Sequence, residues 1–335
     1  MEILSSSDVD LEKAAAALRD GRLVAFPTET VYGLGADAFN PSALAKVFEA
    51  KNRPRFDPLI IHIAELDALS RIADTAALDT ATARRLSILC ERLWPGPLTL
   101  ILPKRPAVPD LATSGLPTAA VRFPSHPVAR KLIRLSTGAL AAPSANPFGY
   151  LSPTRADHVK TQLGEKVDFI IDGGRSTVGV ESTVLDLSSG SPRLLRPGGI
   201  ARETIEELIG PVEFSFGFSV GETDANETPV SPGQLKSHYA PRTPLVLCHN
   251  GELASLPDIP GEGRLYFSPP ANRRVDGSAI RVLSANGNLT EAAANLFDML
   301  HELDSLGLDR IRAEEAPPHG LGVAINDRLR RAENS

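Results

Sequence analysis

The chain has 335 residues, with 35 Lys and Arg against 41 Asp and Glu, a formal charge of −6. Hydrophobic residues make up 42% and charged residues 23%, which excludes a mainly disordered chain, and the length suits two domains. The acidic balance argues against a dedicated nucleic-acid binder, which needs an uncompensated basic stripe.

A first helix is expected over residues 9–20, with Asp8 as its cap, Leu11, Ala14, Ala15 and Leu18 on one apolar face, and Gly21 as its end. Residues 22–26 (RLVAF) then read as a short buried strand. A second helix starts at Asn40-Pro41, a capping residue followed by proline at the first helical position. It stops before Pro54, because the residue preceding a proline resists helical geometry. Lys51, Asn52 and Arg53 therefore sit at its C-terminal end. Strand-like runs follow at 59–63, 98–102, 119–122, 139–142, 169–171, 183–187 and 193–195, with helical runs at 78–93, 126–136 and 154–163. This alternation indicates an α/β domain, and the successive strands without intervening helices indicate a large mixed sheet. Residues 1–210 form this domain. Residues 211–243 are polar, rich in Gly and Pro, and aperiodic, and are expected to be either a passive linker or a functional cover, a lid over the first domain. Residues 244–335 read as a smaller Rossmann-like α/β domain, with strands at 245–248, 264–267 and 280–283, a helix at 289–306 and a last helix at 320–331.

The two cysteines, Cys90 and Cys248, lack metal spacing and cannot form a disulfide framework. The seven histidines form no HxxxH or HxH pair, so no protein-held metal is expected. The N-terminus has no basic, apolar leader, and no apolar run approaches the roughly 18–20 residues of a membrane span, so a cytoplasmic location is expected. GLGADA (33–38) fits a dinucleotide template only weakly, since its glycines do not open a helix directly. There is no GxxxxGK[ST] loop, so phosphates would have to be met by side-chain cations and irregular backbone donors. Such cations stand at element ends: Lys51 and Arg53 after a helix, Arg122 after TAAVR, and Arg196 in LLRPGG. Helix-dipole complements and surface ion pairs are the plain alternatives. Ser144 and Asn146, in AAPSAN, either close a turn or face a ligand at the sheet edge. His62, in LIIHI, is either a satisfied core residue or a ligand.

In order, FPTETVYGLG, KNRP, PLIIHI, WPGPLT, AVRFPSHP, AAPSANPFG, SPT, IIDGG, GVESTVLDL and LLRPGG resemble the YrdC-like threonylcarbamoyl-AMP synthases. SPGQLKSHYAP and the extra C-terminal domain resemble the long form of that family. The resemblance implies a nucleotidyltransferase that converts L-threonine, bicarbonate and ATP to threonylcarbamoyl-adenylate and pyrophosphate. It implies magnesium with the phosphates, and a separate downstream transferase complex that modifies tRNA next to the anticodon. It places a catalytic signature on Lys51, Arg53, Ser144 and Asn146. Threonine contacts fall on Thr30, His62, Arg122, Ala142 and Ser182. Nucleotide contacts fall on Arg53, Asp57, Thr118, Ser144, Ser152, Arg196 and Tyr239. Asp57 fits beside phosphates only if it binds magnesium or faces the ribose.

The chemistry suits such residues. Carbamate and ATP are both anions, so catalysis is mainly positioning and cationic stabilisation. Arg122 would fork onto the threonine carboxylate, a planar match that lysine lacks. Two other functions compete: an RNA-binding module without chemistry, and a carbamoyl transferase acting on a protein. The first lacks a basic, aromatic-rich stripe. The second is expected to carry zinc-finger regions, and this chain has no CxxC. No stable nucleic-acid or membrane partner is expected.

Overall fold

The computed structural model describes residues 1–214, 239–249, 251–270 and 277–334. Most of the expected lid segment, including His238, lies outside the described residues.

The first helix, Asp8–Arg19, is capped by Ser7, whose Oγ accepts the Asp10 amide. The sequence offers SSSD at this point. Ser7 takes the extended cap geometry, so Asp8 becomes the first helical residue rather than the cap and complements the helix dipole. The helix Pro41–Lys51 starts as expected, with the Asn40 side-chain oxygen Oδ1 accepting the Ser42 and Ala43 amides. It ends on Asn52 in the left-handed region (φ 52°).

One large sheet contains β1 (Glu2–Leu4), β2 (Val24–Phe26), β3 (Gly33–Asp37), β4 (Ile60–Ile63), β5 (Leu98–Pro103), β6 (Thr118–Arg122), β7 (Ala139–Ala141), β8 (Phe169–Ile171), β9 (Thr183–Asp186), β10 (Arg193–Arg196) and β11 (Glu213–Phe214). Their spatial order is β1-β8-β2-β3-β7-β4-β6-β5-β9-β10-β11. Parallel pairs such as β4/β6 and β5/β9 adjoin antiparallel ones such as β5/β6, so the sheet is mixed, as the missing crossover helices require. The strand β3 coincides with the GLGAD run. Its glycines give little strand propensity, but pairing on both sides with β2 and β7 fixes it. The edge strands β1 and β11 and the helix Arg202–Ile209 were not anticipated from the sequence.

Alternation along the central strands assigns each residue to a face. Ile61, Ile63, Leu100, Leu102, Val121 and Leu185 enter the main core. The opposite face carries Ile60, Ile101, Ala120, Val184 and Leu195, with His62, Thr99 and Arg122 between them. Helices Asp8–Arg19 and Pro127–Leu135 cover part of this second face, around Val24, Phe26, Leu140 and Ile171. The part built from β4, β6, β5 and β9 lies beyond them.

A second sheet, all parallel, contains β12 (Leu245–Cys248), β13 (Glu262–Tyr266), β14 (Ile280–Val282) and β15 (Arg310–Glu314) in the order β12-β15-β13-β14. The strand β15 was not read from the sequence. Helices Leu289–Asp304 and Leu321–Glu333 bury Leu296, Leu300, Leu303, Ile325 and Leu329 in this domain's core. Val31, Leu151, Val180 and Tyr239 join that same core and so fasten the two sheets together. No described helix is long and apolar enough to cross a membrane.

The two domains' backbones approach closely at Gly179 (φ +76°). A Cβ there would lie 2.4 Å from the Ala293 oxygen and 2.4 Å from the Ala294 Cα. The Gly179→Ala variant is expected to lose about 2 kcal/mol or more, from overpacking and from the strained φ, read as an earlier midpoint in denaturant unfolding. A midpoint equal to the parent's would refute this packing.

Candidate active site

The uncovered part of the sheet forms one hollow, into which several stretches project. Its wall contains Thr28, Thr30 and Val31 from the turn after β2, Arg53 from the loop after Pro41–Lys51, and His62 and Arg122 from the ends of β4 and β6. Ala142 and Ser144 follow β7, Glu181 and Ser182 precede β9, Arg196 ends β10, and Tyr239 closes the wall. His62 and Arg122 are direct register partners in the parallel pair β4/β6, so their side chains emerge side by side.

Each cation is held from behind. Arg122 forms an ion pair with Glu29 at 2.7 Å, and both side chains are buried. Burial works to raise the Glu29 carboxyl pKa, but the Arg122 charge and hydrogen bonding outweigh it and keep it below the ordinary value. Arg53 pairs with Asp57 at 2.9 Å and donates to the Asp57 and Pro58 carbonyls. Asp57 is raised by burial, against the opposing pull of Arg53, Lys51 and Arg196. Arg196 donates through Nε and Nη2 to the Ser182 carbonyl (3.2 and 2.9 Å) and through Nη2 to the Ser182 hydroxyl. The turn after Arg196 presses on the same segment: a Cβ on Gly198 would lie 2.4 Å from the Glu181 oxygen and the Thr183 nitrogen. Glycine therefore permits the contact that seats β10 against residues 181–183.

The polar wall is also ordered. The Thr28 hydroxyl donates to the Val31 carbonyl (2.6 Å), which leaves it to accept from the Thr30 hydroxyl at 2.8 Å. The Ser182 and Thr99 hydroxyls are 2.7 Å apart. His62 Nδ1 lies 3.2 Å from the Ile60 carbonyl. A neutral imidazole donating there leaves Nε2 as an acceptor. Burial, helped by the Arg122 charge, pushes the His62 pKa down to about 3, so His62 adds no positive charge at neutral pH.

The structure thus brings Thr30, Arg53, His62, Arg122, Ala142, Ser144, Ser182, Arg196 and Tyr239 to one hollow. Five expected residues stand outside its wall. Lys51 was expected to meet the carbamate and phosphates, yet its buried ammonium donates to the Ser144 (2.6 Å) and Asn146 carbonyls. Burial, then the Arg53 charge, hold its pKa well below the ordinary value. Lys51 is a strut beneath the 144–148 loop, because burial favours a donor that satisfies carbonyls over one left free to reach a ligand. Asn146 ties the same loop by donating to the Pro147 and Tyr150 carbonyls. Asp57 is taken up by Arg53. The Ser152 hydroxyl donates to Glu181 at 2.5 Å. Thr118 starts β6, four residues before Arg122 and about 13 Å away along the strand. Glu29 and Glu181, the anionic partners of the site, had no signal in the sequence beyond lying in PTET and VEST.

The family described as Telomere recombination matches residues 16–198. The one described as Threonylcarbamoyl-AMP synthase, C-terminal domain, matches residues 200–333. The threonylcarbamoyl-AMP synthase of Bacillus subtilis (strain 168) is 43% identical over 336 residues, covering 98% of this chain and 94% of the relative. That of Pyrococcus abyssi (strain GE5 / Orsay) is 43% identical over 326 residues, covering 95% and 92%. The crystal structure of P. abyssi Sua5 complexed with L-threonine superposes with a TM-score of 0.89 at 39% identity, covering 100% of this chain and 98% of that one.

The buried histidines predict an acid response. His62 and His158 both have pKa values of about 3, below the ordinary 6.5, so the unfolded chain takes up protons that the folded chain refuses. Their stability contribution is intact above 6.5 and falls as pH drops from there toward 3, by up to about 1.4 kcal/mol per pH unit for each histidine. His62→Gln is expected to flatten this slope in denaturant unfolding across that window. A slope equal to the parent's would mean that His62 is not held neutral.

Proposed function

The chain belongs to the threonylcarbamoyl-AMP synthase family, and we propose that its hollow joins L-threonine, bicarbonate and MgATP into threonylcarbamoyl-adenylate with release of pyrophosphate. The observation that carries this reading is the convergence of Arg53, Arg122 and Arg196, from three distant stretches, on one wall that also holds Thr30, His62 and Ser182.

Threonine binds at the Arg122 end. Arg122 Nε is buried without a hydrogen-bond partner among the described residues, a donor suited to the substrate carboxylate. The threonine hydroxyl donates to His62 Nε2, so an amino acid without that hydroxyl would leave a buried acceptor unpaired. The threonine amine then attacks the carbon of bicarbonate or its dehydrated form. A C–N bond forms: from bicarbonate, an amine proton and the carbon's hydroxyl leave as water; from carbon dioxide, the amine gives up a proton and no water is released. A carbamate oxygen attacks the α-phosphorus of ATP; the new P–O bond forms as the bond to pyrophosphate breaks. Arg53 and Arg196 face the charge that builds on the phosphoryl oxygens and the leaving group.

Magnesium enters with ATP as part of the substrate. The hollow's own carboxylate, Glu181, is ion-paired to a guanidinium, as are the nearby Asp57 and Glu29. No group of three metal-ligating side chains occurs among the described residues. An RNA-binding reading is disfavoured by burial, since Arg53, Arg122 and Arg196 are each less than a tenth exposed and lie too deep for a nucleic-acid backbone. The adenylate would feed a cytoplasmic transferase complex that modifies tRNA adenosine beside the anticodon.

Pyrophosphate release is expected to require ATP, threonine and bicarbonate together, and to vanish when any one is omitted. Release that persists without threonine would overturn the reading. Arg53→Lys keeps a charge opposite Asp57 but loses the fork, and is expected to lower turnover about a hundredfold with the fold intact.

A further inference from the structure

The C-terminal domain reaches the back of this site's wall, behind Glu181 and Tyr239. Arg328, on the helix Leu321–Glu333, is fully buried with no exposed side-chain surface. Its Nε donates to Glu181 Oε2 at 2.8 Å, and its Nη1 donates to the Pro197 carbonyl at 2.9 Å and to Asp327 Oδ2 at 2.5 Å. Its guanidinium lies over the Tyr239 ring, 5.0 Å from the centroid. One residue of the second domain thus touches three segments of the hollow: the Glu181 strand entry, the turn just after Arg196, and Tyr239.

We infer that Arg328 is a positioning residue for the ATP end of the site, acting through Glu181 and Tyr239. Glu181 is a carboxylate in the wall that must face a polyphosphate, and left alone it would repel one. Arg328 occupies its Oε2 and Ser152 its Oε1, so its charge is drawn away from the hollow and its orientation is fixed. Asp327 balances the cations in turn, bonding Arg328 through one oxygen and Arg331 (2.8 Å) through the other. The planar guanidinium also backs the Tyr239 ring, with Phe297 on another side at 5.8 Å. Two supports of the threonine end, Glu29 behind Arg122 and the β4/β6 register behind His62, do not involve the second domain, and Ser182, next to Glu181, has Thr99 and Arg196 as partners of its own.

This inference rests on the reading of the hollow as an ATP site, and the test separates the two. Pyrophosphate release and calorimetric binding of a non-hydrolysable ATP analogue are measured for the parent, Arg328→Met, Arg328→Lys and the double variant Arg328→Met with Glu181→Gln, with thermal melts reporting folding. Arg328→Met is expected to raise the KM for ATP and weaken analogue binding about tenfold to a hundredfold, the scale of one lost charge-assisted hydrogen bond, while the KM for threonine stays within about twofold. The double variant removes the exposed charge and is expected to recover most of the loss in ATP affinity. Arg328→Lys retains the charge without the fork or the stacking plane and should fall in between; it carries the test if Arg328→Met does not fold. A folded Arg328→Met with the parent's KM for ATP would overturn the inference. So would equal changes for both substrates, or a double variant no better than the single one, which would mark Arg328 as interface packing only. A parent that binds the analogue but releases no pyrophosphate would overturn the reaction instead, leaving Arg328 to be judged on analogue affinity.

Discussion

Concentrating positive charge in a dry cleft is costly, and the rest of the site follows from how this chain meets that cost. Each buried cation loses several kcal/mol of hydration, and neighbours of like sign add repulsion. Arg122 is paired with Glu29, Arg53 with Asp57, and Arg328 with Glu181, whose charge also acts on Arg196. In the first two pairs the guanidinium lines the hollow and the carboxylate does not; in the third Glu181 lines it and Arg328 lies behind. Arg196 shows the strain of the arrangement: burial lowers its pKa, and the nearby anionic groups offset part of that. A site compensated in this way is folded and oriented before any substrate arrives, which is the condition for electrostatic stabilisation without reorganisation.

Strand alternation makes that arrangement compatible with a stable core. Along β4, β5 and β6 one set of residues packs into the main hydrophobic cluster while its neighbours emerge on the other face. His62 and Arg122 are therefore rooted in central strands. Irregular segments contribute at the rim, and these too are tied down. Lys51 fastens the Ser144 loop through its carbonyls, and the Phe148 amide bonds back to the Lys51 carbonyl at 2.8 Å. A lysine with a depressed pKa can serve this role whether or not it is charged, because its donors are directed at carbonyls rather than at an anion.

Much of this was legible in the chain before folding. Asn40-Pro41 announced its helix, the apolar runs announced the central strands, and cations at element ends marked Arg53, Arg122 and Arg196. What escaped notice shares one cause: it depends on residues far apart in sequence. Glu181 and Arg328 are 147 positions apart, and neither carries local information about the other. The carbonyls to which Lys51 donates belong to Ser144 and Asn146, 93 and 95 positions on, so its sequence neighbours carry no trace of them. β3 was hidden by its glycines, and β15 by lying between two helical segments of stronger pattern. His62 stood between two readings, and its register partner Arg122 could not be read from the local sequence.

The second domain is bound by contacts that would be hard to slide. Gly179 lets two backbones meet, Arg155 grips Asp298 with Nε at 2.6 Å and Nη2 at 2.8 Å, and His158 stacks on His301 at 3.9 Å between ring centroids. Arg175 reaches across to the Ala294 carbonyl. Directional polar contacts of this kind specify one docked arrangement, because displacement would leave the buried Asp298 carboxylate without its partners. The same interface delivers Arg328 to Glu181. Docking the domain through Asp298 and backing Glu181 with Arg328 therefore belong to one interface.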